Sequence, residues 1–392
     1  MYLSNLEKAV DAIPLWRPEI NGNEWRYVKE CMDTGWVSSV GTFVARFEEA
    51  VAIHVGVKHA VALVNGTGAL HLGLLAADVE QGDEVICPAL TFIAPVNAVS
   101  YCGASPVFVD VRTDTLCIDE RKVAQFLFTR CEKGLDGFTY NSATGKRIKA
   151  LIAVHVFGHP SEMEPLSDIC KAMNICLIED ATEALGSRYL ERQAGALGDI
   201  GCFSFNGNKI ITTGGGGMVV TDSKDIAARI RHLGNQAKKD PFEYDHDEVG
   251  YNYRLTNLQA AMGVAQMERL AEFVEKKRRN ALLYEKSLAG IEDVEFLKER
   301  QGARSNCWFH TIRVEKDARR PLMEHLIKNR IEVRPVWKPI PTLDMYYGCE
   351  TLDISEAIGV YETCVNLPSS VGLGTDEIYH VARSIRGFFR GI

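Results

Sequence analysis

Short apolar runs alternate with helical patterns through the middle of the chain. Val61–Val64, Glu84–Cys87, Pro106–Asp110, Ala150–His155 and Cys176–Ile178 read as strands, and Gly68–Ala77, Ile93–Cys102 and Met163–Met173 read as helices. This alternation predicts an α/β chain with a mostly parallel sheet, because parallel neighbours need a crossover that is usually helical. Gly201–Phe205 and Met218–Thr221 add two strands separated by a run of glycines, and a helical pattern around Gly41–His54 precedes the alternation. Gly134–Lys146 is polar and glycine-rich and reads as an inserted loop, and Gln236–Asp247 reads as a second polar excursion. Thr256–Leu288 predicts one long helix with Thr256 as its N-cap, long enough to leave one domain and enter another. After Ala289 the pattern alternates again, through Trp308–Val314, Arg320–Asn329, Glu332–Pro335 and Asp376–Phe388. The expected division is a large domain over 1–265 and a smaller α/β domain over 266–392.

Composition narrows the classes. The 392 residues suit two domains, and 46% hydrophobic with 24% charged residues is the balance of a globular chain, which excludes intrinsic disorder. No apolar run approaches the ~18 residues of a membrane span. The formal net charge of −8 argues against nucleic acid as a partner, and the basic stretch Glu275–Arg279 falls in a helical pattern as a solvated face. The 11 cysteines are scattered, with neither C-x-x-C nor zinc-finger spacing, so no metal is expected. The N-terminal residues lack the charged and apolar regions of a signal peptide, and with reduced thiols this predicts a cytoplasmic location.

Three clusters carry chemistry. In Val64-Asn65-Gly66-Thr67-Gly68-Ala69-Leu70 a strand runs through glycines and a hydroxyl into a helix, which puts bare N–H groups, a Thr67 hydroxyl and a helix N-terminus at one spot. That combination binds phosphate; the plainer reading is a turn with Thr67 as N-cap. It is neither a P-loop nor G-x-G-x-x-G. In Ile178-Glu179-Asp180-Ala181-Thr182-Glu183, Asp180 ends an apolar strand, where ligands of open α/β sheets sit. Such a carboxylate serves a metal, a ribose or a protonated ring nitrogen, or else caps the next segment. In Phe203–Gly217, Ser204 and Lys209 stand beside four consecutive glycines. A lysine packed this closely is suited to imine chemistry with a carbonyl. Together the clusters supply a phosphate cradle, a carboxylate for a pyridine nitrogen and an amine for an aldehyde, the parts of a pyridoxal phosphate (PLP) site.

On these motifs, with Pro18-Glu19, Gly22 and Gly250-Tyr251-Asn252-Tyr253-Arg254, the sequence resembles the DegT/DnrJ/EryC1/StrS family of nucleotide-sugar aminotransferases over nearly its whole length. The resemblance implies a fold-type-I PLP-dependent transferase, with a mostly parallel seven-stranded sheet in the large domain and a smaller C-terminal α/β domain. It implies Lys209 as the Schiff-base lysine, Asp180 as partner of the pyridine nitrogen, Ser204 with Gly66 and Thr67 on the phosphate, and Phe92 stacked on the ring. It also implies L-glutamate as amino donor, PLP and its amine form PMP as cofactor, and a homodimer whose second subunit donates Asn252, with Arg254 near the nucleotide diphosphate. Glu183 stands where many members carry Gln or His near the cofactor's 3-hydroxyl. Gly215 stands where many carry Glu, and Gly68 where Ala or Ser is usual. Asn206–Gly217 with Thr34–Gly41 is most similar to a subgroup of legionaminic-acid-type pathways, which aminates C4 of a UDP-linked 4-keto-6-deoxy sugar for cell-surface glycans. C3 amination, a GDP- or dTDP-linked substrate, and a non-catalytic PLP- or sugar-binding regulator stay open. A nicotinamide oxidoreductase is disfavoured by the missing glycine fingerprint, and a sugar dehydratase by the lysine.

Three further residues are substrate-contact candidates. His155 and Trp337 each also have a structural reading, as a hydrogen-bonded histidine and as packing at a domain seam, and Arg254 enters through the resemblance alone. Trp16-Arg17-Pro18 reads as structural.

Overall fold

The computed structural model describes residues 12–240 and 242–391. The expectation for the extreme N-terminus therefore lies, through residue 11, outside the described residues.

Seven strands form the central sheet: β1 His59–Leu63, β2 Glu84–Pro88, β3 Ser105–Val109, β4 Ile148–Val154, β5 Cys176–Asp180, β6 Ile200–Ser204 and β7 Gly217–Thr221. Their order is β1-β7-β6-β5-β4-β2-β3. β7 runs antiparallel to both neighbours, and every other adjacent pair is parallel. Six strands thus point their carboxyl ends the same way.

The sheet is covered on both faces, as the continuous apolar runs require. Val85, Ile152 and Val219 pack on one face with α3 Gly66–Ala76, while Ile86 and Leu151 turn to the other, against α5 Glu120–Arg130 and α6 Met163–Met173. Phe203 and Val220 share that second side with α2 Thr42–Val55. Helix α3 is buried almost all round, which fits its nearly uniform apolar sequence. The remaining helices of this part are α1 Glu24–Thr34, α4 Ile93–Tyr101, α7 Lys224–Gly234 and α8 Asn257–Met267.

The C-terminal part carries a four-stranded sheet of β8 Glu295–Phe296, β9 His310–Arg313, β10 Arg334–Pro335 and β11 Cys364–Leu367, in the order β8-β9-β11-β10. α9 Leu270–Leu288, α10 Lys316–Lys328, α11 Ser355–Thr363 and α12 Thr375–Arg390 accompany it. The start of the described chain belongs here in space, since Ile13 bridges Ile331 and shares its apolar cluster.

Two sequence expectations change. Thr256–Leu288 is two helices rather than one, broken at Glu268-Arg269. Thr256 does cap the first, in a reciprocal box with Gln259. The break coincides with side-chain bonds to the N-terminal segment: Glu268 accepts from Asn23 and Tyr27 at 2.6 Å each, and Arg269 bonds Asn21. Packing partners also change there, from α1 and α2 for α8 to α12 for α9. The Gly134–Lys146 stretch is not plain loop, because Thr139–Asn141 pairs with Cys131–Lys133 as a small hairpin.

Candidate active site

A cavity of about 660 Å³ opens beyond the carboxyl ends of the parallel strands, roofed by the C-terminal part. Its size is that of a small-ligand site. Of the residues singled out from sequence, Gly66, Thr67, Phe92, Asp180, Glu183, Ser204, Lys209 and Trp337 line it.

The cradle follows from how β1 turns into α3. Asn65, not Thr67, is the N-cap: its Oδ1 accepts from Gly68 N at 2.7 Å. The Thr67 hydroxyl is therefore not spent on the cap, and the N–H groups of Gly66 and Thr67 fall in a first turn that has no carbonyls to satisfy them. A Cβ on Gly66 would sit 2.8 Å from Ser204 Cβ, so glycine keeps this corner open. A Cβ on Gly217 would overlap the Asn65 carbonyl, so the glycine run lets β7 lie directly against the cradle. An anionic group fits here by size and by dipole.

Lys209 lies in the turn between β6 and β7. Thr213 N and Thr212 Oγ1 both bond the Phe205 carbonyl, at 2.9 and 3.1 Å, which folds the turn back on its strand. Lys209 Nζ points into the cavity, 3.4 Å from Glu183 Oε1 and 4.3 Å from the centroid of Trp308. Trp308 Nε1 donates to the Asn208 carbonyl at 2.8 Å, bolting the turn to the C-terminal part. Behind Trp308, the buried Lys277 amine donates to the Trp308 carbonyl at 2.9 Å and to Ser369 Oγ at 2.8 Å. Burial pushes the Lys277 amine down to about 7.

Asp180 ends β5 nearly fully buried. Burial raises its carboxyl above the usual range, opposed by hydrogen bonds from Thr182, whose N–H lies 3.1 Å from Oδ1. A positive ring nitrogen beside it would offset that burial cost. Glu183 is buried as well, and burial pushes it up to about 7 against the pull of Lys209. Its Oε2 accepts from Phe157 N at 2.9 Å.

Phe92 is exposed at the rim with its ring 6.3 Å from Trp337, and Trp337 packs 4.7 Å from Phe157. Trp337 is thus both seam packing and cavity wall.

Three predicted residues are not brought to the cavity. His155 is fully buried, with Nδ1 accepting from Ser161 N at 3.1 Å and Nε2 2.9 Å from Glu179 Oε2. Glu179 also receives Gly195, Leu197 and Gly198 N–H groups, at 2.8, 2.6 and 2.6 Å. His155 is therefore a structural bond beneath the site, and it makes no part of the cavity wall. Asn252 is exposed and bridges Asn235. Arg254 bridges Leu63 and lines a separate groove with Val40, Glu48 and Arg231.

The sequence reading missed Asn206, Asn208, Trp308 and Arg334, which line the cavity, and took Trp16 for structural although it lines the cavity too. Asn206, Asn208 and Arg334 flank residues already noted, but nothing local marks Trp308, which comes from about 100 residues away.

The residues present fit PLP: a cradle for phosphate, a buried carboxylate at a strand end for the ring nitrogen, and a lysine amine on the wall. Comparison with known proteins agrees. The sequence matches the DegT/DnrJ/EryC1/StrS aminotransferase family over residues 18–386. The chain belongs to this family. It is 38% identical over 379 residues to a GDP-perosamine synthase of Escherichia coli O157:H7, covering 96% of this chain and 98% of that one. It is 37% identical over 366 residues to the putative pyridoxal phosphate-dependent aminotransferase EpsN of Bacillus subtilis, covering 92% and 91%. The crystal structure of DesI with its TDP-sugar product superposes with a TM-score of 0.86 at 29% identity, over 97% of this chain and 94% of that one. The protein is a PLP-dependent sugar aminotransferase of fold type I. Among the described residues no helix is long and apolar enough to cross a membrane.

Proposed function

We propose that this aminotransferase moves an amino group from L-glutamate to the C4 ketone of a nucleotide-linked 4-keto-6-deoxy sugar, in the making of a surface glycan. The observation that carries the amination is the convergence of Lys209, Asp180 and the Gly66-Thr67-Ser204 cradle on one cavity large enough for a cofactor with a sugar above it. The nucleotide is guanosine diphosphate: the curated relative at 38% identity is a GDP-perosamine synthase. This replaces the UDP-linked substrate expected from the legionaminic-type subgroup.

Bound PLP supplies an electron sink for the carbanion left when the donor's Cα loses its proton. The chain's residues do the rest. Gly66, Thr67 and Ser204 hold the phosphate. Asp180 keeps the ring nitrogen protonated by holding its own charge beside it. Phe92 covers the ring at the rim. Lys209, once free as an amine, carries the proton between the donor's Cα and the cofactor carbon as general acid and base. The Trp308 ring over Nζ and the wall of Phe157 and Trp337 limit water there. Asn252 and Arg254 serve the site of a second subunit in a homodimer.

The test incubates the purified protein and L-glutamate with GDP-, UDP- and dTDP-linked 4-keto-6-deoxyhexoses and weighs the products. An amino sugar from the GDP substrate, with 2-oxoglutarate formed in equal amount, is expected. Preferential amination of the UDP or dTDP sugar would overturn the nucleotide assignment. Full turnover by Lys209→Ala would overturn the amination reading of the site.

A further inference from the structure

We propose that Glu183 is the proton partner of Lys209, so that this one buried carboxyl decides when the lysine is a free amine. The inference rests on the amination reading and deepens it. A neutral amide at this place could orient the lysine but could not take its proton.

The geometry is specific. Glu183 Oε2 is fixed by the Phe157 N–H at 2.9 Å, on a residue held in left-handed backbone at φ 54°. That anchors the carboxyl and leaves Oε1 aimed at Lys209 Nζ, 3.4 Å away. The Glu183 carbonyl is held from the C-terminal part by Asn306 Nδ2 at 2.9 Å, so the residue is fixed at both ends. Trp308 closes over Nζ.

The groups facing the pair are few. Asp180 from β5 adds negative charge and pushes Glu183 further up. Phe157 and Asn306 are neutral, and the Lys277 amine lies behind Trp308, bonded to backbone and Ser369. His155, near Asp180, is taken up by Glu179 and Ser161.

An ammonium cannot attack a carbonyl. In the step inferred here one N–H bond of Lys209 breaks and one O–H bond of Glu183 forms, so the pair goes from two charges to none with its total unchanged. Near and above neutrality the ionised pair is the resting form, because opposite charges 3.4 Å apart offset each other's burial, and the neutral pair is the minor form in which Lys209 reacts. A carboxyl raised to about 7 exchanges protons near neutrality, where acid–base partners work best.

The experiment uses the full-length protein freed of cofactor. Lys209 is labelled with trinitrobenzenesulfonate from pH 5.5 to 9, and the labelled peptide is quantified by mass. In the wild type the rise of labelling with pH should show an inflection near 7, because the ionised Glu183 then holds the ammonium. Glu183→Gln should lose the inflection and label at least about tenfold faster at pH 8, since a counter-charge at this distance is worth that much even in a polar setting. Gln keeps the acceptor for Phe157 N, so a merely structural role predicts parallel profiles. Glu183→Asp, which keeps the carboxyl, should retain an inflection, and it decides the matter should Glu183→Gln fail to fold. The holoenzyme's turnover should lose the same inflection in Glu183→Gln. Parallel labelling profiles for wild type and Glu183→Gln, or a Glu183→Asp profile without inflection, would overturn the inference while leaving the Lys209 assignment standing. Full turnover by Lys209→Ala is the separate result that removes its foundation.

Discussion

At the scale of single residues, Asp180 and Glu183 are two buried carboxyls three positions apart with different work. On the proposed reading Asp180 stays charged beside a ring nitrogen. Asp180→Asn should keep PLP bound while turnover falls on the order of 10²-fold or more, about 3 kcal/mol of lost transition-state stabilisation. Single-turnover kinetics with glutamate checks it, and unchanged turnover would make Asp180 a cap of the Thr182 N–H only. Glu183 gives a stability signature. Its folded value, about 7, lies above the ordinary 4.5, so the unfolded chain releases this proton first. Its contribution is full below pH 4.5 and is lost as pH rises to about 7. Relative to wild type, cofactor-free Glu183→Gln should therefore gain on the order of 2 kcal/mol between pH 5 and pH 8. Thermal unfolding of both proteins across that range checks the sign. Lys209, Asp180 and Ser204 were legible because each sits at a strand end or beside glycines, where side-chain type and local backbone coincide. Trp308 was not, because only folding brings it over the lysine.

Elements carry the next level. The turn from β1 into α3 is proposed as an anion cradle, since Asn65 takes the capping role and glycine leaves room beside Ser204. Gly66→Ala should place a methyl against Ser204 Cβ and raise the dissociation constant for PLP about tenfold or more, with a smaller loss of thermal stability. Titration of the cofactor-free protein with PLP measures it, and unaltered affinity would move the phosphate elsewhere. The strands were read nearly to their ends because both faces of each are buried and the apolar runs are continuous. The break between α8 and α9 was not, since Glu268 and Arg269 are good helix formers whose side chains are drawn off by Asn23, Tyr27 and Asn21 from the other end of the chain.

The whole molecule raises the question of the second subunit. Asn252 and Arg254 stand away from their own chain's cavity, on the β1 edge of the sheet and beside a groove, and so are free to meet a neighbour. A two-fold dimer is the commonest arrangement for such sharing. Lys209→Ala protein and an Asn252→Ala, Arg254→Ala double variant should each be inactive alone. After subunit exchange, each heterodimer should hold one site with both lesions and one with none, and so recover up to half the wild-type activity per dimer. Proven heterodimers without activity would confine these residues to their own chain.

The sequence by itself determined the α/β alternation, the strand ends and the residue types placed on them, because apolar periodicity, glycine runs and capping residues act over a few positions. Tertiary structure alone decided that His155 is spent on Glu179 and that Asn65 rather than Thr67 caps α3. It also set Trp308 over Lys209 and Glu183 Oε1 at 3.4 Å from its amine. These are choices among partners that local sequence allows equally, and packing of distant segments, with the burial of their polar atoms, selects one.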